Sequence, residues 1–398
     1  MKSKFLDGLD LKGKIVFLRC DLNVPLDKKG KVLDVTKILR HKITLDELVN
    51  KGAKIFILTH LGRPKGKLNK SLSLNLITED FAKETNIEAI TVLPYCTPET
   101  INKIALDMRE GTVTFLENIR FYPEEENNNL DFAKKLADAG DYYINDAFSV
   151  SHRKHVSTYG LSKYLPSFIG RSLQLELEML NKISSNINHP LMALIGGSKI
   201  STKIKLLLNL IEKVDFLAIG GAMANTFLLA QGKSIGTSIV EKDKIDLAID
   251  IIAKAKKHSC ELILPEDVVI AKNLSEKNNA KNVDLDNISN ESSIYDIGTK
   301  TIENISNKMA MCKTLFWNGP LGVYEHEPFD HSTNEIGRTA AILTRANAIV
   351  SVAGGGDTVA ALNKKELSGG FTYLSIAGGA LVEWLEGKEL PGLEFLKN

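Results

Sequence analysis

LMALIGGSKISTKIKLLL, from Leu191 to Leu208, joins a strand pattern to a helix pattern through two adjacent glycines. Its opening is an apolar run of strand length, and apolar residues at helical spacing follow the glycines. Lys199 and Lys203 stand four residues apart, so the pattern predicts that they share one face where a helix starts. Like charges at this position repel each other and the positive end of the helix dipole. The arrangement is favourable if the glycine amides and both ammonium groups bind an anion. A solvated lysine face is the alternative, but the preceding strand and double glycine favour a phosphate site.

Composition places the chain among ordinary globular proteins. It has 398 residues, 43% of them hydrophobic and 25% charged, with a formal net charge of +1. There is no global basic field of the kind that binds nucleic acid, so any anionic ligand must be held by local clusters. The four cysteines are isolated, and no segment has the pattern of a signal peptide or a membrane span. We therefore expect a cytoplasmic protein without a nucleic-acid partner and without membrane association.

In the first half, four apolar segments end in polar or basic residues. They occupy 14–18, 54–58, 112–116 and 142–144, and helical patterns such as 43–49 and 130–139 lie between them. Alternating strands and helices predict parallel βαβ units, in which ligands gather beyond the carboxyl ends of the strands. Five basic residues then fall on one edge of the sheet: Arg19, His60, Arg63, Arg120 and Arg153.

Arginine binds carboxylate and phosphate in bidentate fashion, so this edge indicates a small ligand with several negative charges. Each residue alone could instead be a surface ion pair or a packed histidine. The HRKH segment at 152–155 lacks further ligands nearby, which argues against a metal site. Residues 123–130 are interpreted as a polar loop. The amphipathic pattern over 168–183 predicts a helix joining two domains, with a boundary near 184–190.

The strand ends of the second half carry glycine instead of arginine. Glycine loops follow the strand patterns at 215–219, 314–316, 348–353 and 371–376, and they predict a nucleotide site. Asp357, in the loop GGGDT, suits Mg²⁺ held jointly with the nucleotide, and an N-cap role for it is compatible. Residues 272–307 are interpreted as surface turns and short elements without chemistry.

The common nucleotide fingerprints are absent. There is no G-x-x-x-x-G-K-[ST], no G-x-G-x-x-G opening either half, and no set of protein-kinase motifs. An arginine site in one half and a glycine site in the other suggest phosphoryl transfer between a small anion and a nucleotide. A carboxylate acceptor is already ionised, so alignment, charge neutralisation and hinge closure would suffice without a Ser-His-Asp set.

Several stretches together resemble the phosphoglycerate kinase family over about residues 11–390. They are RCDLNVP (19–25), THLGRP (59–64), LENIRF (116–121), NDAFSVSHRKH (145–155), GGSKISTK (196–203), WNGPLGVYE (317–325) and AGGGDT (353–358). The resemblance implies an α/β fold of two Rossmann-like domains, each a parallel sheet flanked by helices. The expected divisions are a phosphoglycerate domain at 1–168, an interdomain helix at 169–186, a nucleotide domain at 187–380 and a segment at 381–398 returning to the first domain. The implied reaction is reversible phosphoryl transfer from 1,3-bisphosphoglycerate to Mg-ADP.

The resemblance also implies roles for individual residues. The expected catalytic residues are Arg19, Lys199, Lys203 and Gly379. The expected phosphoglycerate contacts are Asp21, Asn23, Lys37, His60, Leu61, Gly62, Arg63, Arg120 and Arg153. The expected nucleotide contacts are Lys203, Asn318, Glu325, Gly355, Gly356, Asp357 and Thr358, with Asp357 also expected to bind Mg²⁺.

The chain departs from the family pattern at several positions. Lys37 stands where the family has arginine, and Arg40 is the alternative for that role. Ser149 and Ser151 replace glycine and alanine, Ala222 replaces a glycine, and Ile376 and Ala377 replace threonine and glycine. A non-catalytic binding protein and an NAD-dependent dehydrogenase are the alternatives to an active kinase. Nothing in the sequence demands more than a monomer.

Overall fold

A computed structural model describes residues 4–87, 91–94, 97–184 and 188–397. These residues form two compact units, which are described separately. Unit 1 comprises Met1–Glu178 and Glu389–Asn398, and unit 2 comprises Met179–Lys388. Cys96, one of the four cysteines, lies outside the described residues.

Unit 1 is built on a parallel sheet of six strands in the order β3-β4-β2-β1-β5-β6. The strands are β1 Ile15–Arg19, β2 Lys54–Leu58, β3 Thr91–Leu93, β4 Val113–Leu116, β5 Tyr142–Asn145 and β6 Ser167–Ile169. The central strands are apolar and almost wholly buried, as expected for a parallel sheet covered on both faces. The helices are α1 Thr36–Asn50, α2 Thr78–Thr85, α3 Pro98–Asp107, α4 Pro123–Glu126, α5 Leu130–Ala137 and α6 Arg171–Ser184.

Unit 2 repeats the design with six parallel strands in the order β15-β14-β13-β7-β8-β9. The strands are β7 Leu191–Ile195, β8 Phe216–Ile219, β9 Glu261–Ile263, β13 Thr314–Asn318, β14 Val350–Gly354 and β15 Tyr373–Ser375. A small antiparallel sheet is formed by β10 Asp267–Ala271, β11 Lys281–Asp284 and β12 Ser293–Ile297. The helices are α7 Ile204–Leu210, α8 Met223–Ala230, α9 Ile245–Lys257, α10 Thr299–Met311, α11 His331–Arg345, α12 Gly356–Lys364 and α13 Gly378–Leu385. The predicted fold class is confirmed.

Two segments differ from the sequence predictions. Pro123–Glu126 is a short helix, not a loop, because proline at its start and three acidic residues in its first turn both favour a helix N-terminus. Residues 272–307 are not surface turns, since they contain β11, β12 and most of α10, whose Ile302, Ile305 and Met309 enter the core. The sequence did not predict these elements, because each has only a narrow apolar stripe within a polar segment.

The predicted interdomain helix corresponds to α6, and the two compact units divide within it. Residues 185–187 of the predicted boundary lie outside the described part of the chain. The final residues, from Glu389, group with unit 1, where the Gly392 amide donates to the Ser151 carbonyl. In the described ranges, no helix is both long enough and apolar enough to cross a membrane.

Candidate active site

Basic side chains cluster beyond the carboxyl ends of the unit 1 strands. Arg19 ends β1, His60 follows β2, Arg120 follows β4, and Arg153 follows β5. Burial, and next the guanidinium of Arg19, lower the pKa of Arg120 to about 10, and Arg153 acts in the same direction. Glu126, whose Oε1 lies 3.6 Å from Arg120 Nε, and Glu125 offset part of this repulsion. The remaining positive charge suits the cluster to an anion.

His60 is neutral and oriented by Arg19. Arg19 Nη2 donates to His60 Nδ1 at 3.2 Å, and Arg19 Nε donates to Ser157 Oγ at 2.9 Å. Because Nδ1 accepts, the proton of a neutral ring lies on Nε2, which is then free to donate. Burial, and then the charge of Arg19, hold the pKa of His60 well below its usual range. Arg19 itself is 1% exposed, so we expect it to act through His60 and not by touching a ligand.

The loops around this cluster are tied together by hydrogen bonds. Asn23 Oδ1 accepts from the Gly62 amide at 2.8 Å, and Arg120 Nη1 donates to the Gly62 carbonyl at 3.1 Å. Leu61 is buried between them, whereas Arg63 is exposed. The loop from 60 to 63 is thus fixed while its one arginine stays accessible to an anion from solvent.

Asp21 is the carboxylate within this basic cluster. It is 5% exposed, and its Oδ2 accepts from Lys37 Nζ at 2.7 Å. Burial alone would raise the pKa of Asp21, but the Lys37 charge and the hydrogen bonds from Lys37 and Ser149 outweigh it and hold the pKa well below its usual range. Arg40, the alternative to Lys37, pairs with Glu176 of α6 at 3.6 Å. The geometry therefore favours Lys37 over Arg40 as the residue in the arginine's place.

A buried histidine that no sequence motif indicated fixes the backbone of Asp21. The Asp21 amide donates to His41 Nε2 at 3.0 Å, and His41 Nδ1 donates to Asp146 Oδ2 at 2.7 Å. Asp146 Oδ1 in turn accepts from the Leu173 amide in the first turn of α6. The only available signal was an isolated histidine in the helical pattern of α1, which usually denotes an ordinary core residue.

In unit 2, Lys203 lies at the carboxyl edge of the sheet. Its Nζ donates to Asn318 Oδ1, and Asn318 Nδ2 donates to the Gly354 carbonyl at 2.8 Å. Burial lowers the pKa of Lys203, although Asp357 and next Glu386 oppose the shift. The ammonium is thus partly desolvated, which strengthens its attraction for a phosphate group.

The prediction that Lys199 and Lys203 share a helix face is wrong. Lys199 is exposed in extended backbone, the turn Ile200–Thr202 follows it, and Lys203 is the N-cap of α7. Helix α7 therefore starts later than the apolar spacing suggested. The two lysines differ in environment, and only Lys203 is fixed by a side-chain partner described here.

The glycine loops have two different functions in the structure. A Cβ atom at Gly196 would collide with the carbonyl oxygens of Gly319 and Pro320, so this glycine permits two loops to pack together. Gly356, at the start of α12, has open space where a side chain would be. Thr358 Oγ1 accepts from the Gly319 amide at 2.7 Å, which joins the loops. Hence only part of the glycine pattern leaves room for a ligand.

A cavity of about 390 Å³ opens beside these loops. Its lining includes glycine backbone, two tyrosines and three acidic residues: Gly197, Gly221, Tyr295, Tyr324, Asp296, Glu325 and Asp357. An apolar, aromatic cavity with a few polar groups at its edge suits a nucleoside. Tyr295 was missed because it lies in the segment interpreted as surface turns.

The departures at the glycine loops cause no backbone strain. Ala377 has φ −90° and Ala222 has φ −62°, and both values are ordinary for alanine. Ile376 is only partly buried before α13, whose first turn contains Gly379. The replacement of glycine by Ala377 is therefore compatible with the backbone of the last loop.

The fold and these two groups of residues define a class, that of kinases moving a phosphoryl group between a nucleotide and a small anion. Comparison with known families is more specific: a model described as phosphoglycerate kinase matches residues 6–388. The chain therefore belongs to the phosphoglycerate kinase family of glycolytic, phosphate-transferring enzymes.

Individual relatives agree with this assignment. The chain is 47% identical over 394 residues to a phosphoglycerate kinase of Rhizobium leguminosarum, covering 99% of this chain and 98% of the relative. It is 45% identical over 393 residues to one of Cereibacter sphaeroides, covering 99% of each. Among solved structures, the phosphoglycerate kinase of Coxiella burnetii is 38% identical, with TM-score 0.89 and 98% of each chain covered. The dehydrogenase alternative has no support in these comparisons.

Proposed function

We propose that the chain transfers the acyl phosphate of 1,3-bisphosphoglycerate reversibly to Mg-ADP, giving 3-phosphoglycerate and ATP. Most of the residues predicted from the sequence bind the two substrates, whereas the buried Arg19 orients His60. In unit 1, Arg63, Arg120 and Arg153 bind the phosphate that is not transferred. His60 Nε2 donates to the glycerate portion, and Asp21, with Asn23, binds its hydroxyl. Lys37 lies beside the reacting carboxylate.

In unit 2 the cavity beside Tyr295 takes the adenosine, with Glu325 at the ribose. The amides at Gly355 and Gly356 bind the phosphates, assisted by Asn318. The buried Thr358 hydroxyl, which donates to the Gly354 carbonyl at 3.0 Å, holds the loop in place. Lys203 neutralises the phosphate nearest the transfer, and Lys199, which is exposed, moves onto the transferring group. The start of α13, with Gly379, directs amides at the same group.

The residues present fit a magnesium ion. Mg²⁺ uses one or two carboxylates together with phosphate oxygens, and Asp357 is an exposed carboxylate in the first turn of α12. Throughout the part of the chain that the structure describes, no group of three or more His, Cys, Asp and Glu side chains could hold a metal by itself. When bound, the ion would neutralise negative charge on the nucleotide phosphates.

Transfer then needs no protein nucleophile. In the direction of ATP use, a carboxylate oxygen of 3-phosphoglycerate attacks the terminal phosphorus, and the bond from that phosphorus to the bridging oxygen of ADP breaks. No proton moves, because the attacking group is already ionised. The protein aligns the two ligands, offsets their repulsion with lysine and arginine, and excludes water. Since different units bind the two ligands, the units must bring them together.

One observation carries this proposal: the basic cluster of unit 1, in which a neutral, oriented His60 and an ionised Asp21 lie among arginines. An anion with one phosphate, one hydroxyl and one carboxylate satisfies each of these groups. The substrate hydroxyl can donate a hydrogen bond to the ionised Asp21 carboxylate, which a fully deprotonated anion cannot do.

The test is ATP consumption by the purified protein with Mg²⁺, with a coupling enzyme removing the acyl phosphate. We expect turnover with 3-phosphoglycerate and none with glycerate, which lacks the phosphate bound by the arginines. Equal turnover with and without 3-phosphoglycerate would contradict the proposal. Binding of both ligands without turnover would favour the non-catalytic alternative. A monomeric state and a cytoplasmic location stay predictions, which sedimentation and cell fractionation can examine.

A further inference from the structure

One oxygen of Asp21 accepts two side-chain hydrogen bonds. Lys37 Nζ donates to Asp21 Oδ2 at 2.7 Å, and Ser149 Oγ donates to the same atom at 2.5 Å. The second oxygen, Oδ1, accepts from the Asn23 amide at 3.2 Å. The carboxylate is therefore fixed from three directions, by α1, by the loop after β5 and by its own loop.

The two donors on Oδ2 complement each other. A lysine ammonium is a compact charge on a flexible stem, so it attracts a carboxylate without fixing its plane. A guanidinium holds a carboxylate with two parallel N–H groups and fixes both partners. Here the second donor comes from another element, since Ser149 lies in the short turn Phe148–Val150 and is half-buried.

We propose that Ser149 is a positioning residue for phosphoglycerate binding, because Ser149 and Lys37 together form a two-donor clamp on Asp21. In this clamp two residues supply the two donors, both to Oδ2, whereas a guanidinium would supply two donors from one residue. His41 completes it by holding the Asp21 amide, so both the backbone and the side chain of Asp21 are fixed. This inference rests on the proposed function, in which Asp21 binds the substrate hydroxyl.

The clamp predicts a specific non-additivity. Ser149→Ala removes a hydrogen bond to a charged acceptor, which we expect to raise KM for 3-phosphoglycerate about ten-fold. In the Lys37→Arg background the guanidinium supplies the second donor itself, so the same Ser149→Ala change is expected to raise KM less than about two-fold. KM for ATP is expected to stay unchanged in Ser149→Ala, in Lys37→Arg and in the double variant, since Asp21 belongs to unit 1 and the proposed nucleotide site to unit 2.

Two further variants separate positioning from a general structural effect. Ser149→Thr keeps the hydroxyl and is expected to restore KM close to the wild-type value. Ser162→Ala removes a hydroxyl that donates to the Tyr159 carbonyl at 2.8 Å, elsewhere in unit 1, and is expected to leave KM unchanged. An equal cost of Ser149→Ala in both lysine and arginine backgrounds would overturn the inference, as would failure of threonine to rescue.

The clamp can also be examined without turnover. A crystal structure of the Ser149→Ala protein is expected to show the Asp21 carboxylate rotated and its contact with Lys37 lengthened beyond 2.7 Å. An unchanged contact would refute the clamp even if the protein proved inactive. Conversely, a wild-type protein without turnover on 3-phosphoglycerate would refute the proposed function while leaving this structural comparison decisive for the clamp.

Discussion

Replacing His41 by alanine removes a buried histidine that is hydrogen-bonded to two other buried groups. The Asp21 amide loses its acceptor and Asp146 Oδ2 loses its donor, while both residues stay buried. An orphaned buried donor or acceptor costs roughly 1–3 kcal/mol, and more for a charged group. We therefore expect His41→Ala to lower the free energy of unfolding by about 3–5 kcal/mol.

The chain contains a matched control for this change. His189 Nδ1 and Asp215 Oδ2 lie 2.6 Å apart, as close as the His41–Asp146 pair. The difference is exposure, since the side chains of His189 and Asp215 are 53% and 40% exposed, against 4% and 0% for His41 and Asp146. An exposed pair contributes roughly 0–1 kcal/mol, so His189→Ala should be nearly neutral.

Thermal unfolding followed by far-ultraviolet circular dichroism measures both variants. For a unit of this size we expect His41→Ala to lower the midpoint by about 10 °C, and His189→Ala by no more than about 4 °C. His41→Ala should also raise KM for 3-phosphoglycerate, because the Asp21 loop is no longer fixed. Equal midpoints for the two variants would refute the reasoning that burial makes the His41–Asp146 pair contribute more to stability than the exposed pair.

Three further predictions concern charge and reactivity. Lys203→Ala should lower kcat about 10²–10³-fold, as expected when a donor to developing charge is lost. The control Lys205→Ala, at an exposed neighbouring lysine, should leave kcat unchanged. A coupled assay measures both variants, and an equal loss in both would contradict the role of Lys203. Burial, followed by the charge of Arg120, lowers the pKa of His155 to about 3, so the unfolded chain binds a proton below about pH 6.5 that the folded chain does not. Stability should thus fall as pH drops from 6.5 towards 3, and urea titrations should show a shallower fall in His155→Gln; identical pH profiles would count against this. Burial raises the pKa of the Cys20, Cys260 and Cys312 thiols. The native protein should therefore react rapidly with a disulfide reagent at no more than one of its four cysteines, and the unfolded protein at all four. Rapid reaction of a second thiol in the native protein would contradict this prediction.

Strands and loop positions were predictable because their signal is local. For example, the apolar run at 54–58, which ends in polar residues, predicts a strand, and the structure has strand Lys54–Leu58 there. The parallel topology then followed from the alternation of strands and helices, and with it the gathering of His60, Arg120 and Arg153 at one edge.

Contacts that depend on side-chain packing between distant elements were not predictable. His41 and Asp146 are 105 residues apart, and Ser149 and Asp21 are 128 apart, so no local pattern joins them. Glu125 was overlooked for the same reason: it is buried and accepts from the Ser157 amide and hydroxyl, although its neighbours Glu124 and Glu126 read as solvent-exposed charge. The interpretation of Gly196 was also incomplete, since sequence does not distinguish room for a ligand from room for another loop.

The position of Trp317 gives the protein an internal optical reporter. Its indole is fully buried, and Nε1 donates to the Gly319 carbonyl at 2.7 Å, in the loop joined to Asn318 and Thr358. Both tryptophans, Trp317 and Trp384, belong to unit 2. Tryptophan fluorescence is therefore expected to report on unit 2, which includes the loops proposed to bind the nucleotide, so nucleotide titrations need no dye or labelled ligand.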